Sequence, residues 1–136
     1  MSYEKTWRSP AAALVLVLVS LLAACGGDGN GVRDVTHSGS VGDGPIIGAT
    51  VVVTDKNGVV LATETSDDTA NYEIRLKVPK RSYPLQITAT GGIDTVTQSE
   101  PDFTMVSVAT DPSQSKANIN PFSTLTTKMA LARAGG

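Results

Sequence analysis

Tyr72-Glu73-Ile74-Arg75-Leu76-Lys77-Val78 alternates without a break. In an extended chain Tyr, Ile, Leu and Val fall on one side and Glu, Arg and Lys on the other. That period of two fits a strand with one buried face and one wet face. A helix would scatter the same residues around its circumference. Working outward, similar short segments recur on both sides. Upstream, Ile47, Ala49, Val51 and Val53 share one face, with Thr50, Val52 and Thr54 on the other. Asp55-Lys56-Asn57-Gly58 is a hairpin turn signal, because Asn-Gly supplies the positive φ that tight hairpins require, and Val59 to Thr65 should return antiparallel. Ser66 to Asn71 reads as a polar loop. Downstream, Leu85 to Thr90 alternates again, Gly91-Gly92 turns the chain into a strand over Ile93 to Gln98, and Phe103 to Ala109 makes the last strand.

Six or seven short strands at intervals of about ten residues predict an all-β, antiparallel sandwich over residues 41–110. No helical periodicity competes between Val41 and Ala109. Gly44-Pro45-Ile46-Ile47-Gly48-Ala49-Thr50-Val51, then Asn57-Gly58, then Ser66 to Tyr72 carry a more specific signal. Together they resemble the carboxypeptidase regulatory-like domain family. The resemblance spans about residues 38–109 and implies a transthyretin-like, immunoglobulin-related sandwich of the kind carried by bacterial envelope proteins. That family usually has Gly just before the Tyr, where this chain has Asn71, a residue that tolerates the left-handed conformation. The family has no catalytic residues of its own, so the resemblance carries over no active site.

The amino-terminal end has a different character. Lys5 and Arg8 against Glu4 make residues 1–10 net positive, and the fourteen residues Ala11 to Ala24 are apolar apart from Ser20. As a helix this run would be about 21 Å long, short against a bilayer core of about 30 Å. A charged start, a short apolar run and small residues at its end are the marks of a cleaved signal peptide, here residues 1–24; an uncleaved anchor or a buried helix is the competing reading. The run ends in Leu22-Ala23-Ala24-Cys25, which resembles the lipobox of bacterial lipoproteins. The resemblance implies cleavage between Ala24 and Cys25 and lipidation of the Cys25 thiol. Gly26, where an Asp often marks retention in the inner membrane, points to the outer membrane of the cell envelope.

Cleavage would leave 112 residues, one domain's worth. Of the 11 basic and 13 acidic residues, Lys5, Arg8 and Glu4 lie in the leader, leaving 9 and 12. A mildly acidic chain without a basic cluster argues against a nucleic-acid partner. Cys25 is the only cysteine, so no intramolecular disulfide can form. Residues 25–40 are rich in Gly, Asp, Asn and Ser with only two valines, and read as a flexible tether. Asp28, Asp34 and His37 within it match no metal-ligand spacing and read as solvated linker side chains.

Residues 111–136 form a carboxyl-terminal extension. Leu125, Met129 and Ala132 recur at spacings of four and three, which predicts a short helix over Thr124 to Ala134, with Lys128 and Arg133 late in it. Either it belongs to a larger envelope protein of which this chain is a shortened copy, or it packs on the sandwich edge or frays.

Candidate chemistry is sparse. His37 is the only imidazole available to activate a hydroxyl. Ser113 and Lys116 have Ser-x-x-Lys spacing but lack the partner motifs of that enzyme class. Asp55, Asn57, Asp67, Asp68 and Asp94 are paper candidates for calcium, although Asp-x-Asn-Gly is only a fragment of a calcium loop and turn chemistry accounts for Asp55 and Asn57. The aromatics after cleavage, Tyr72, Tyr83, Phe103 and Phe122, offer little platform for a sugar. Lys77, Lys80 and Arg81 gather near one strand end, where a solvated turn competes with an anion-binding surface. The sequence therefore predicts no catalytic residue, no cofactor and no metal. Its expected partners are a membrane, through lipid on Cys25, and an envelope protein or surface ligand. An accessory domain of a larger envelope enzyme, adhesin or transporter is the alternative.

Overall fold

The computed structural model describes residues 31–42 and 44–135. The signal peptide expected over residues 1–24 and the expected cleavage and lipidation positions Ala24 and Cys25 lie outside the described residues. The chain runs β1 (Val32–Ser40), β2 (Ile46–Ile47), β3 (Thr50–Thr54), β4 (Val60–Thr65), β5 (Asn71–Pro79), β6 (Leu85–Thr90), β7 (Ile93–Asp94), β8 (Met105–Ala109) and α1 (Pro121–Arg133). It is mostly antiparallel β-structure with one short carboxyl-terminal helix.

β5 behaves as its alternation requires: Tyr72, Ile74, Leu76 and Val78 are buried, and Glu73, Arg75 and Lys77 are exposed. Its partner lies in the stretch whose composition reads as a tether. β1 pairs with it antiparallel over nine residue pairs, from Val32↔Pro79 to Ser40↔Asn71. Residues 32–40 are thus a strand, not the last part of a tether. Val35, His37 and Gly39 form its inward row, and burial of the first two against the core supplies the driving force that two scattered valines lack.

The domain also extends past residue 110. Residues 115–119 lie parallel to β1, with bonds Ser38 N–H to Ser115 O, Ala117 N–H to Ser38 O, Ile119 N–H to Ser40 O and Gly42 N–H to Ile119 O, at 2.8 to 2.9 Å. Ala117 and Ile119 enter the core. Gly39 permits the approach: a Cβ there would lie 2.5 Å from the Ala117 carbonyl oxygen.

The second layer is a four-stranded antiparallel sheet in the order β4-β3-β6-β8. Its inward residues Val51, Val53, Leu85, Ile87, Ala89, Met105 and Ala109 meet the inward row of β5 and β1 in one core. Two such faces packed together make a sandwich. The Asp55–Gly58 turn joins β3 to β4 as expected, with Gly58 as its left-handed residue.

Three local expectations need correction. Ile46 is the buried isoleucine and Ile47 only half-buried, because Gly48 at φ +70° breaks the phase between β2 and β3. The left-handed residue before Tyr72 is Ala70, at φ 60°, while Asn71 begins β5. In place of a strand over Ile93 to Gln98, only Ile93–Asp94 pair, with β2, and turns follow. The buried Ser66 fastens this corner. Its hydroxyl donates to Ile46 O at 2.8 Å and accepts from Ala49 N–H at 2.9 Å.

α1 starts three residues earlier than its apolar spacing suggested. Asn120 Oδ1 accepts from Ser123 N–H at 2.8 Å, Ser123 Oγ accepts from Asn120 N–H at 3.0 Å, and Pro121 opens the first turn. The helix docks on β8 through hydroxyls. Ser123 donates to Val106 O at 2.8 Å, and Thr124 Oγ1 accepts from Val106 N–H at 2.9 Å. Edge backbone groups of β8 are thereby occupied.

Candidate functional site

An open groove of about 590 Å³ lies among the described residues. Ser38 and Ser40, on the outward row of β1, line it together with Glu73 from β5 and Lys116 and Asn118 from the parallel segment. Glu64 and Thr65 at the end of β4 and Asp67 and Asn71 from the following loop contribute as well. The strand alternation that sends His37 and Gly39 inward sends the two serines out. Lys116 Nζ donates to Ser38 Oγ at 3.0 Å, and Asn118 Oδ1 accepts from Ser40 N–H at 3.1 Å, which fixes two side chains along the groove. Three carboxylates, one ammonium, hydroxyls and amides share this surface, so it offers directional hydrogen bonds and little apolar contact.

The Ser38–Lys116 pair has the composition of a nucleophile and base, but Lys116 is exposed, and burial is what turns a lysine into a general base. The spacing pair Ser113 and Lys116 does not come together in this way: Ser113 N–H donates to Asp111 Oδ1 at 2.9 Å, while the lysine turns to Ser38.

His37, read as a solvated linker residue, is fully buried. Its Nε2 shares a hydrogen bond with the Tyr83 hydroxyl at 2.9 Å, the rings meet edge-on, and Nδ1 has no partner of hydrogen-bond geometry. Burial pushes the imidazole below its ordinary 6.5, and the nearby Gln114 backbone offsets part of that. Burial, with the charge of Asp111 second, holds the Tyr83 phenol above its ordinary value. Tyr72 is raised by burial too, and its hydroxyl donates to Ala117 O. Asp34, by contrast, points outward and lies 3.7 Å from Lys77. The imagined metal set of Asp34 and His37 is therefore split across two faces of one strand, and Asp28 lies outside the described residues.

The calcium candidates fall in three separate turns, and Asp55, Asp67 and Asp94 each commit a carboxylate oxygen to the backbone of their own turn. Asp55 accepts from Asn57 N–H at 2.8 Å and Val59 N–H at 2.9 Å, and the Val59 bond does most to lower its carboxyl. Asp67 accepts from Thr69 Oγ1 at 2.7 Å and from the Thr69 and Asn71 N–H groups at 2.9 Å, with the Thr69 hydroxyl the main cause of its lowering. Asp94 accepts from Val96 N–H at 2.7 Å. Among the described residues no group of three His, Cys, Asp or Glu is placed to hold a metal. Near the end of β5, Lys77 faces Asp34 and Lys80 lies 3.8 Å from Asp111, so two of the three basic residues there, with Arg81 the third, are matched by a carboxylate.

Sequence reasoning missed the groove because its residues are scattered over some eighty positions and meet only through strand order. The polar loop Ser66 to Asn71 contributes Asp67 and Asn71, and the Asp55 to Gly58 turn does not line the groove. Among the described residues no helix is long and apolar enough to cross a membrane. Neither a scan of protein-family models nor a search of curated proteins finds a match to this chain.

Proposed function

We propose that this chain is a non-enzymatic, lipid-anchored protein of the bacterial cell envelope that displays its sandwich as a binding module or spacer. The observation that carries the reading is Leu22-Ala23-Ala24-Cys25 at the end of a positively flanked apolar run. A thioether-linked diacylglycerol on Cys25 together with an acyl chain on its freed amine gives stable attachment, since each buried methylene contributes about 0.8 kcal/mol. Gly26 favours the outer membrane. The first described strand begins seven residues after Cys25, so the domain stands close to its leaflet. An immunoglobulin-related, transthyretin-like topology is part of the proposal, supported by the resemblance over residues 38–109. The groove walled by Ser38, Ser40, Glu73 and Lys116 is the surface for a polar partner, an envelope protein or surface ligand.

The test is mass spectrometry of the product purified from membranes, paired with Cys25→Ser. A chain beginning at diacylglyceryl-Cys25, and release of Cys25→Ser from the membrane fraction, support the reading. An intact Met1 with a free thiol overturns it.

A further inference from the structure

A surface helix ordinarily turns its apolar stripe toward the core and its polar side to water. α1 does the reverse. Ser123, Thr124 and Thr127 face β8, where the first two engage Val106 and Thr127 is buried. Phe122, Leu125 and Met129, at spacings of three and four, are 75%, 57% and 48% exposed. Lys128 and Arg133 are the only charged residues from Pro121 to Gly135, and no acid lies among them. A second copy is a poor cover for this stripe: apposed helices would bring lysine and arginine against their own kind with no helix carboxylate to answer them. An anionic lipid surface answers both halves of the pattern. The three large side chains enter the acyl boundary, and the ammonium and guanidinium meet headgroup phosphates.

We infer that α1 is an interfacial helix, lying with Phe122, Leu125 and Met129 in the headgroup region of an anionic leaflet. The inference rests on the envelope reading for the presence of a membrane, but the helix is a contact separate from Cys25.

The experiment reads the helix itself. Phe122→Trp combined with Trp7→Phe leaves α1 with the chain's only indole, in an exposed position that a larger ring does not disturb. The full chain is mixed with phosphatidylcholine vesicles, with and without phosphatidylglycerol, carrying brominated acyl chains. Flotation reports attachment by any route, and quenching of the indole reports α1 alone. The expected result is quenching and a blue shift that favour phosphatidylglycerol by roughly tenfold to thirtyfold, from two basic residues, and that fade with salt. Quenching should persist in Cys25→Ser and disappear on adding Leu125→Asp and Met129→Asp. Flotation without quenching overturns the interfacial helix and leaves the lipid anchor standing. Quenching in Cys25→Ser with no lipid found on the native cysteine supports the helix and overturns the anchor. A blue shift that grows with protein concentration in lipid-free buffer assigns the stripe to self-association and overturns the inference.

Discussion

Acidification should weaken this fold in a window that one side chain owns. His37 is the only histidine in the chain and is fully buried, with its pKa lowered from 6.5 chiefly by burial. A group whose pKa is lower folded than unfolded binds its proton preferentially in the unfolded chain. The stability it supports is whole above the unfolded value and is lost as pH falls from there toward the folded value. For one proton the slope reaches about 1.4 kcal/mol per pH unit. Even part of that slope is a material share of the roughly 5–15 kcal/mol typical of a domain. Other shifted groups act elsewhere: Asp55, Asp67 and Asp111 are lowered from 3.8, and Tyr72 and Tyr83 are raised from 10. The assay is urea unfolding followed by circular dichroism between about pH 5 and 7.5, on the native chain and on His37→Gln. Glutamine keeps a polar group within reach of the Tyr83 hydroxyl but cannot titrate. The native chain should lose stability through the window, and the variant should start lower and stay flat. A flat native profile, or an equal slope in His37→Gln, would refute the reasoning.

Two further perturbations test the packing. Ser66→Ala leaves the Ala49 N–H and the Ile46 carbonyl without their buried partner, and should cost about 1–3 kcal/mol in urea unfolding; a neutral result would mean that these groups find another partner. Gly39→Ala places a methyl against the Ala117 carbonyl oxygen. It should cost about 1–3 kcal/mol and speed hydrogen exchange at the Ala117 and Ile119 amides before the rest of the sheet; uniform exchange would argue against the parallel segment as the first element to give way.

Strands whose inward rows are aliphatic were readable in the chain itself. β5, β3 and β6 announce themselves because Ile74, Leu76, Val51, Val53 and Ile87 recur every second residue against polar neighbours. β1 does not, because its inward row contains His37 and Gly39, and their value depends on Tyr83 and Ala117, far along the chain. Residues 115–119 hold only Ala117 and Ile119 as core residues, too few for a pattern. The helix was legible as a helix, but its orientation was not. Periodicity finds an apolar stripe without saying which way it faces, and here the hydroxyls of Ser123 and Thr124 won the sheet edge. The groove had no local signal at all, since Ser38, Glu73 and Lys116 converge only once β1 is seated between β5 and the parallel segment.

That seating also decides how the molecule bears mechanical load. β1 and residues 115–119 run the same way, with Val41 beside Ile119. Tension between Val32 and a partner held beyond Ile119 therefore pulls at opposite ends of two adjacent strands. The four bonds joining them are strained in shear, together, instead of unzipping singly. Forced unfolding is governed by the height of such a barrier and not by equilibrium stability. Single-molecule pulling from these two points should accordingly meet a higher rupture force than pulling across the β3–β4 hairpin, whose bonds open one after another.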